Sequence, residues 1–218
     1  MALSAQGKEL EEEPVPSTGI LVTQGDYSPM ATQASLDLVQ KLYVAYYGRP
    51  ADPAGQQYWA EQIDEQGVDS VINFFGTSPE FDARFGSMSN EQLVNNLYFQ
   101  LFGRSAEPEG LAFYAGHLDA GNLTLAEIAL TIATGAQNED VAALNNKLAV
   151  AQSFTNAIDD PNEITAYQGN DAANSARQFL VNVDENTDAS AVDVEGFLAQ
   201  LVRASGDPST QNVFTLTE

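Results

Sequence analysis

The chain contains no cysteine and a single histidine, His117. Disulfides, thiolate zinc sites, iron–sulfur clusters and cysteine nucleophiles are therefore excluded, and clusters of histidine ligands with them. Basic residues are almost as scarce: 8 Lys and Arg stand against 31 Asp and Glu, for a net charge of −23. A surface of that sign repels phosphate backbones and anionic headgroups, which excludes nucleic acid as a partner and makes anionic membranes a poor one. No run approaches the roughly 18 apolar residues of a membrane-crossing helix, so membrane insertion is not expected. The start, Met1 to Lys8 followed by Glu9, Glu11, Glu12 and Glu13, lacks the basic and apolar regions of a cleavable secretory signal. What is abundant is apolar: of 218 residues 44% are hydrophobic and 9% aromatic, which suffices for a core in one or two domains. A carboxylate-rich, cysteine-free, lysine-poor chain suits work outside the cell, where calcium screens its self-repulsion.

Residues 1–31 combine a glutamate run with Pro14, Pro16, Pro29, Gly19 and Gly25 and read as a flexible acidic arm. Within it Ile20, Leu21 and Val22 form a short β-prone run, and Val213, Phe214 and Leu216 form another in the tail, 205–218. A lone strand leaves its backbone groups unpaired, so these six residues are candidate assembly contacts, within one subunit or between two. Between arm and tail the pattern is helical. Val39, Leu42, Tyr43 and Tyr46 share one face, and Val94, Leu97, Tyr98 and Leu101 repeat the spacing.

The strongest signal is an internal repeat. Leu42 to Trp59 aligns without a gap on Leu97 to Tyr114, a period of 55 residues, with identities at Leu42/Leu97, Tyr43/Tyr98, Gly48/Gly103, Arg49/Arg104, Ala51/Ala106, Pro53/Pro108 and Gly55/Gly110. In each copy an aromatic helix ends at a glycine, and an acid followed by proline, Asp52-Pro53 or Glu107-Pro108, starts the next. The expected architecture is all-α: repeated helical hairpins in a bundle over 32–161, a C-terminal helical pair over 162–204, and the arm and tail outside it. Ser78-Pro79-Glu80, Ser89 to Gln92 and Thr124 to Glu127 mark further helix starts, and Asn138 is placed to cap another.

Few residues suggest chemistry. Arg49 and Arg104, each beside a helix-ending glycine, read either as partners of helix-end carbonyls or neighbouring carboxylates, or as contacts for an anion or glycan. Tyr46, Tyr47, Tyr58 and Trp59 could stack on sugars, but their helical spacing favours core packing. Asp184, Asn186, Asp188 and Glu195 fill positions 1, 3, 5 and 12 of a calcium loop, while Ala189 stands where its sharp turn wants glycine. A polar helix connection capped by Asp188 or Ser190 explains the same residues, so calcium is a candidate cofactor there and no more. His117 reads as a helix-surface residue.

The motif Leu-Tyr-x4-Gly-Arg-x2-Asp/Glu-Pro-x-Gly-x2-Tyr/Phe-Trp/Tyr resembles an all-helical domain of unknown function related to phycobilisome linker domains, which recurs in bacterial surface-layer and type I-secreted proteins. Later stretches, Ala133 to Thr155, Ala166 to Gly169 and Ala176 to Val183, resemble the segment that follows in that family. The resemblance covers roughly 35–202 and is similar to the anchoring N-terminal region of Gram-negative surface-layer proteins, although the Gly-Gly-x-Gly-x-Asp calcium repeats of many such proteins are missing here. It implies a non-enzymatic structural protein, self-assembling as a surface-layer, filament or matrix subunit. Its expected location is extracellular or at the cell surface, reached without a cleaved N-terminal signal. Its expected partners are copies of itself and cell-surface polysaccharide. Rival readings are a polysaccharide-binding module, a linker scaffold, and a glycosidase with paired carboxylates.

Overall fold

The computed structural model describes residues 31–75 and 78–206, and every regular element among them is helical. The assembly residues Ile20, Leu21, Val22, Val213, Phe214 and Leu216 lie outside the described residues, as do the expected arm strand and strand-like tail.

The first repeat is built from α1 (Gln33–Leu42), which runs on as a π-helical turn (Tyr43–Tyr47), and α2 (Pro53–Gln66). Gly48 ends the π turn at φ 65°, and Asp52 starts α2 by accepting a hydrogen bond from the Gly55 amide at 2.7 Å. Two short helices follow, α3 (Val68–Phe75) and α4 (Pro79–Phe85), the latter capped by Ser78. The second repeat is α5 (Asn90–Phe102) and α6 (Pro108–Asp119), with Gly103 at φ 77° between them. Then come α7 (Leu125–Thr134), α8 (Glu139–Ala157), α9 (Pro161–Ala166), α10 (Gly169–Val181), a 3₁₀ turn (Ala189–Ala191) and α11 (Val194–Gly206).

The capping boxes at Ser89 and Thr124 form as the sequence requires, and Asp160 builds a third that starts α9. Two caps differ from expectation. Glu107 starts α6 without capping it, because its carboxylate is drawn back to Arg104 at 2.7 Å. Asn138 precedes α8 at φ 52° and makes no side-chain cap; the chain turns there in a conformation that asparagine tolerates better than most residues.

The repeated tyrosines pack as the motif requires. The Tyr43 hydroxyl lies 2.6 Å from where a Cβ on Gly55 would sit, and the Tyr98 hydroxyl 3.3 Å from the same point on Gly110. The second glycine of the motif is thus the seat of the tyrosine. Tyr43, Tyr46, Tyr47 and Phe75 form one aromatic nest in the main core with Leu42, Leu97, Leu101 and Ile128. A second core joins Phe154, Tyr167, Ala176 and Leu198, with Phe179 and Phe197 stacked at 4.3 Å beside it.

The copies meet at their own equivalent positions: Gln100 Nε2 donates to the Ala45 carbonyl at 3.0 Å. They are covered unequally. Val44 is buried against Val150, Ala151 and Leu180, whereas its counterpart Phe99 is exposed. α8 packs on both repeats, whereas Tyr167 of α9 and Arg177 of α10 reach the first at Pro50 and Tyr47, and this asymmetry creates the site.

Candidate functional site

The first-repeat motif ends in Gly48-Arg49, which delivers Arg49 to the first turn of α4. Its Nε donates to Glu80 Oε1 at 2.9 Å and its NH2 to Oε2 at 2.7 Å, the two-pronged geometry a guanidinium makes with a carboxylate. The rings of Tyr43, Tyr47 and Tyr167 surround the guanidinium. Tyr167, at the end of α9, is fixed there by donating its hydroxyl to the Pro50 carbonyl at 2.7 Å.

Two further arginines converge. Arg84 of α4 donates to the Tyr47 carbonyl at 2.6 Å, and Arg177 of α10 donates through Nε to the same carbonyl at 2.7 Å. That carbonyl closes the π turn, where the helix end carries partial negative charge. Arg177 also pairs through NH2 with Glu80 Oε1. Among the described residues, no carboxylate lies within ion-pair distance of Arg84.

These groups line a cleft of about 890 Å³, within the range of small-ligand sites. Its walls bring Pro79, Ala83, Ile164 and Tyr167 together with the amides of Gln168, Asn170 and Asn174. Three guanidiniums face two carboxylates there, Glu80 and Asp52, so the cleft is locally positive in a chain of net charge −23. Arg49 and Arg177 leave only 13% and 11% of their side chains exposed.

The titration behaviour follows the same balance. Burial pushes the Glu80 carboxyl up, but hydrogen bonds from Arg49 and the charges of Arg49, Arg177 and Arg84 outweigh it, holding Glu80 below the ordinary glutamate range. Arg84 is lowered to about 10 by burial and then by the charge of Arg177. Arg177 is also lowered, by burial foremost, with Glu80 opposing. The cleft thus holds more cation than its own anions neutralise.

The other residues singled out in the sequence lie elsewhere. Arg104 makes the same two-pronged pair in the second repeat, with Asp140 in the first turn of α8 at 2.8 and 2.6 Å, and a third contact to Glu107. It sits over Tyr98 and Phe102 as Arg49 sits over Tyr43 and Tyr47, but no third helix brings further arginines to it. Of the aromatics, Tyr46 and Tyr47 are buried and Trp59 is half-buried; Tyr58, expected in the core, is 53% exposed on α2. Its repeat counterpart on α6, Phe113, is 58% exposed.

Asp184 accepts from the Asn186 amide and the Thr187 hydroxyl, and Asp188 caps the 3₁₀ turn through Ser190. Asn186 turns to Glu185, and Glu195 lies in the first turn of α11. Among the described residues, these side chains are not gathered with others into a metal-holding group. His117 packs against Phe113 at 4.6 Å with its Nδ1 buried and unpartnered.

None of Glu80, Arg84 and Arg177 is a site candidate in the sequence, where Glu80 only marks a helix start. The available signal was scarcity: with eight basic residues in 218, each has few equivalents to share a role with.

Residues 72–141 match the model of a family described as a domain of unknown function, DUF4214. The match takes in Glu80, Arg84, Arg104 and Asp140 and leaves Arg49, Tyr167 and Arg177 outside. No curated protein and no solved structure matches the chain.

Proposed function

We propose that the chain is a non-enzymatic structural protein that assembles at a bacterial cell surface and holds acidic polysaccharide in the cleft between α4, α9 and α10. The observation that carries the binding role is the convergence of Arg49, Arg84 and Arg177 on one cavity of an otherwise strongly acidic chain. A uronic acid matches its chemistry. The planar carboxylate suits a guanidinium, the hydroxyls suit Gln168, Asn170 and Asn174, and the apolar face of the sugar ring suits Ile164 and Tyr167. Arg84, held by a carbonyl and not by a carboxylate, is the arginine best placed to pair with the ligand's acid, since Arg49 and Arg177 are engaged with Glu80.

The structural role is supported by the tandem hairpins and the resemblance to surface-layer domains. Assembly is favoured by calcium, which screens the carboxylate surface.

The binding role is tested by calorimetric titration with galacturonate, with glucose as the neutral control. Arg84→Gln is expected to weaken galacturonate binding at least about tenfold while the melting temperature is kept, the effect of losing one charge-assisted pair. Equal binding of galacturonate and glucose, or an unchanged Arg84→Gln, would reject the reading.

A further inference from the structure

A second cavity adjoins the first. It has a volume of about 180 Å³ and shares Arg84 and Arg177 with the larger cleft, so these two side chains form the partition between them. Its remaining lining includes Asn96, Phe99, Gln100 and Lys147. Lys147 is the unusual member. It stands on α8 with 2% of its surface exposed, and no hydrogen bond or ion pair holds its ammonium among the described residues.

A buried cation without a partner opposes folding, because its water is gone and nothing replaces it. Asp184 is the one carboxylate whose charge acts on it, and that side chain is occupied with Asn186 and Thr187. Inside the chain only the charge of Asp184 offsets the burial of Lys147, which faces a cavity already lined by two guanidiniums. Counted together, the two cavities gather four of the eight basic residues of the chain, Arg49, Arg84, Lys147 and Arg177, against two carboxylates, Asp52 and Glu80.

We infer that the two cavities are subsites of one anion-binding track, in which Arg84 and Arg177 are shared and Lys147 receives a second acidic group of the same ligand. This rests on the reading of the larger cleft as an acidic-saccharide site and makes it specific: the ligand is a run of adjacent acidic sugars, not a neutral polymer with isolated acid units. Two linked groups bind as one when both subsites are within reach, so affinity rises with the number of adjacent charges.

The test titrates the full chain with monogalacturonate and trigalacturonate at low ionic strength. The wild-type protein is expected to bind the trimer at least about tenfold more tightly than the monomer. Lys147→Met is expected to bring the trimer to within about twofold of the monomer and to leave the monomer unchanged. In a second measurement on the unaltered chain, a trimer esterified at all but one carboxylate is expected to bind like the monomer. A wild-type protein that binds monomer and trimer equally, or a Lys147→Met variant that keeps the trimer preference, would overturn the two-subsite track and leave the single cleft standing. Failure of both ligands to bind would overturn the track and the cleft together.

Discussion

At the scale of single residues, the repeat motif divides into positions that hold the fold and positions that have been redeployed. Tyr43 is buried and seated on Gly55, so Tyr43→Ala is expected to cost on the order of 3 kcal/mol in chemical denaturation. Tyr98, its counterpart, is only half-buried, and the same change there is expected to cost clearly less. Gly48 and Gly103 share a left-handed conformation, but a Cβ on Gly48 would strike Gln100 while one on Gly103 would meet open space. Lys147 works in the opposite sense. Burial lowers its pKa to about 8, so between about 8 and its ordinary 10.5 the unfolded chain binds more protons than the folded one. Stability contributed at this site therefore rises with pH across that window and is lowest below it. Lys147→Met is expected to stabilise the protein at pH 7 by about 1–3 kcal/mol and to flatten this alkaline rise, as read from denaturant midpoints at pH 7 and pH 10. Glu80 has the usual carboxylate sign: its contribution is full above the ordinary value of 4.5 and is lost as pH falls through its depressed folded value.

At the scale of elements, helix starts were the most legible feature. Ser78, Ser89 and Thr124 cap where the sequence places them, because a cap is a local bond between residues three apart. Features that depend on distant packing were not legible. Tyr58 has helical spacing within an aromatic run, yet α2 turns it outward; Tyr98 is only half-buried where its counterpart Tyr43 is buried. The cleft is the extreme case, since Glu80 is separated by 31 residues from Arg49 and by 97 from Arg177, and no spacing rule joins them. One repeat consequence does survive the asymmetry: Tyr58 on α2 and Phe113 on α6 are exposed at equivalent positions. Such paired apolar side chains suit contact between subunits. The double change Tyr58→Ser and Phe113→Ser is expected to leave the unfolding free energy within about 1 kcal/mol of the parent, as surface changes do. It is also expected to raise the concentration at which light scattering first detects assembly. Unaltered assembly would move the contact to another face.

At the scale of the whole molecule, the proposed binding sets the overall charge against the local charge of the cleft. A net charge of −23 repels an anionic polymer at distances where the cleft is not yet felt, whereas the arginines act only at contact. The association rate with oligogalacturonate is therefore expected to rise as salt is added from about 10 to 150 mM, the reverse of a basic protein meeting the same ligand, because screening shortens the long-range repulsion first. Stopped-flow measurement of that rate would detect the difference. The most direct test of the central claim is to follow the arginine Nε–H resonances of ¹⁵N-labelled protein during titration with galacturonate. Arg84 and Arg177 are expected to shift and saturate together while Arg104, held by Asp140 and Glu107 outside the cleft, stays in place; saturable shifts at Arg104 with Arg84 and Arg177 unmoved would contradict the account.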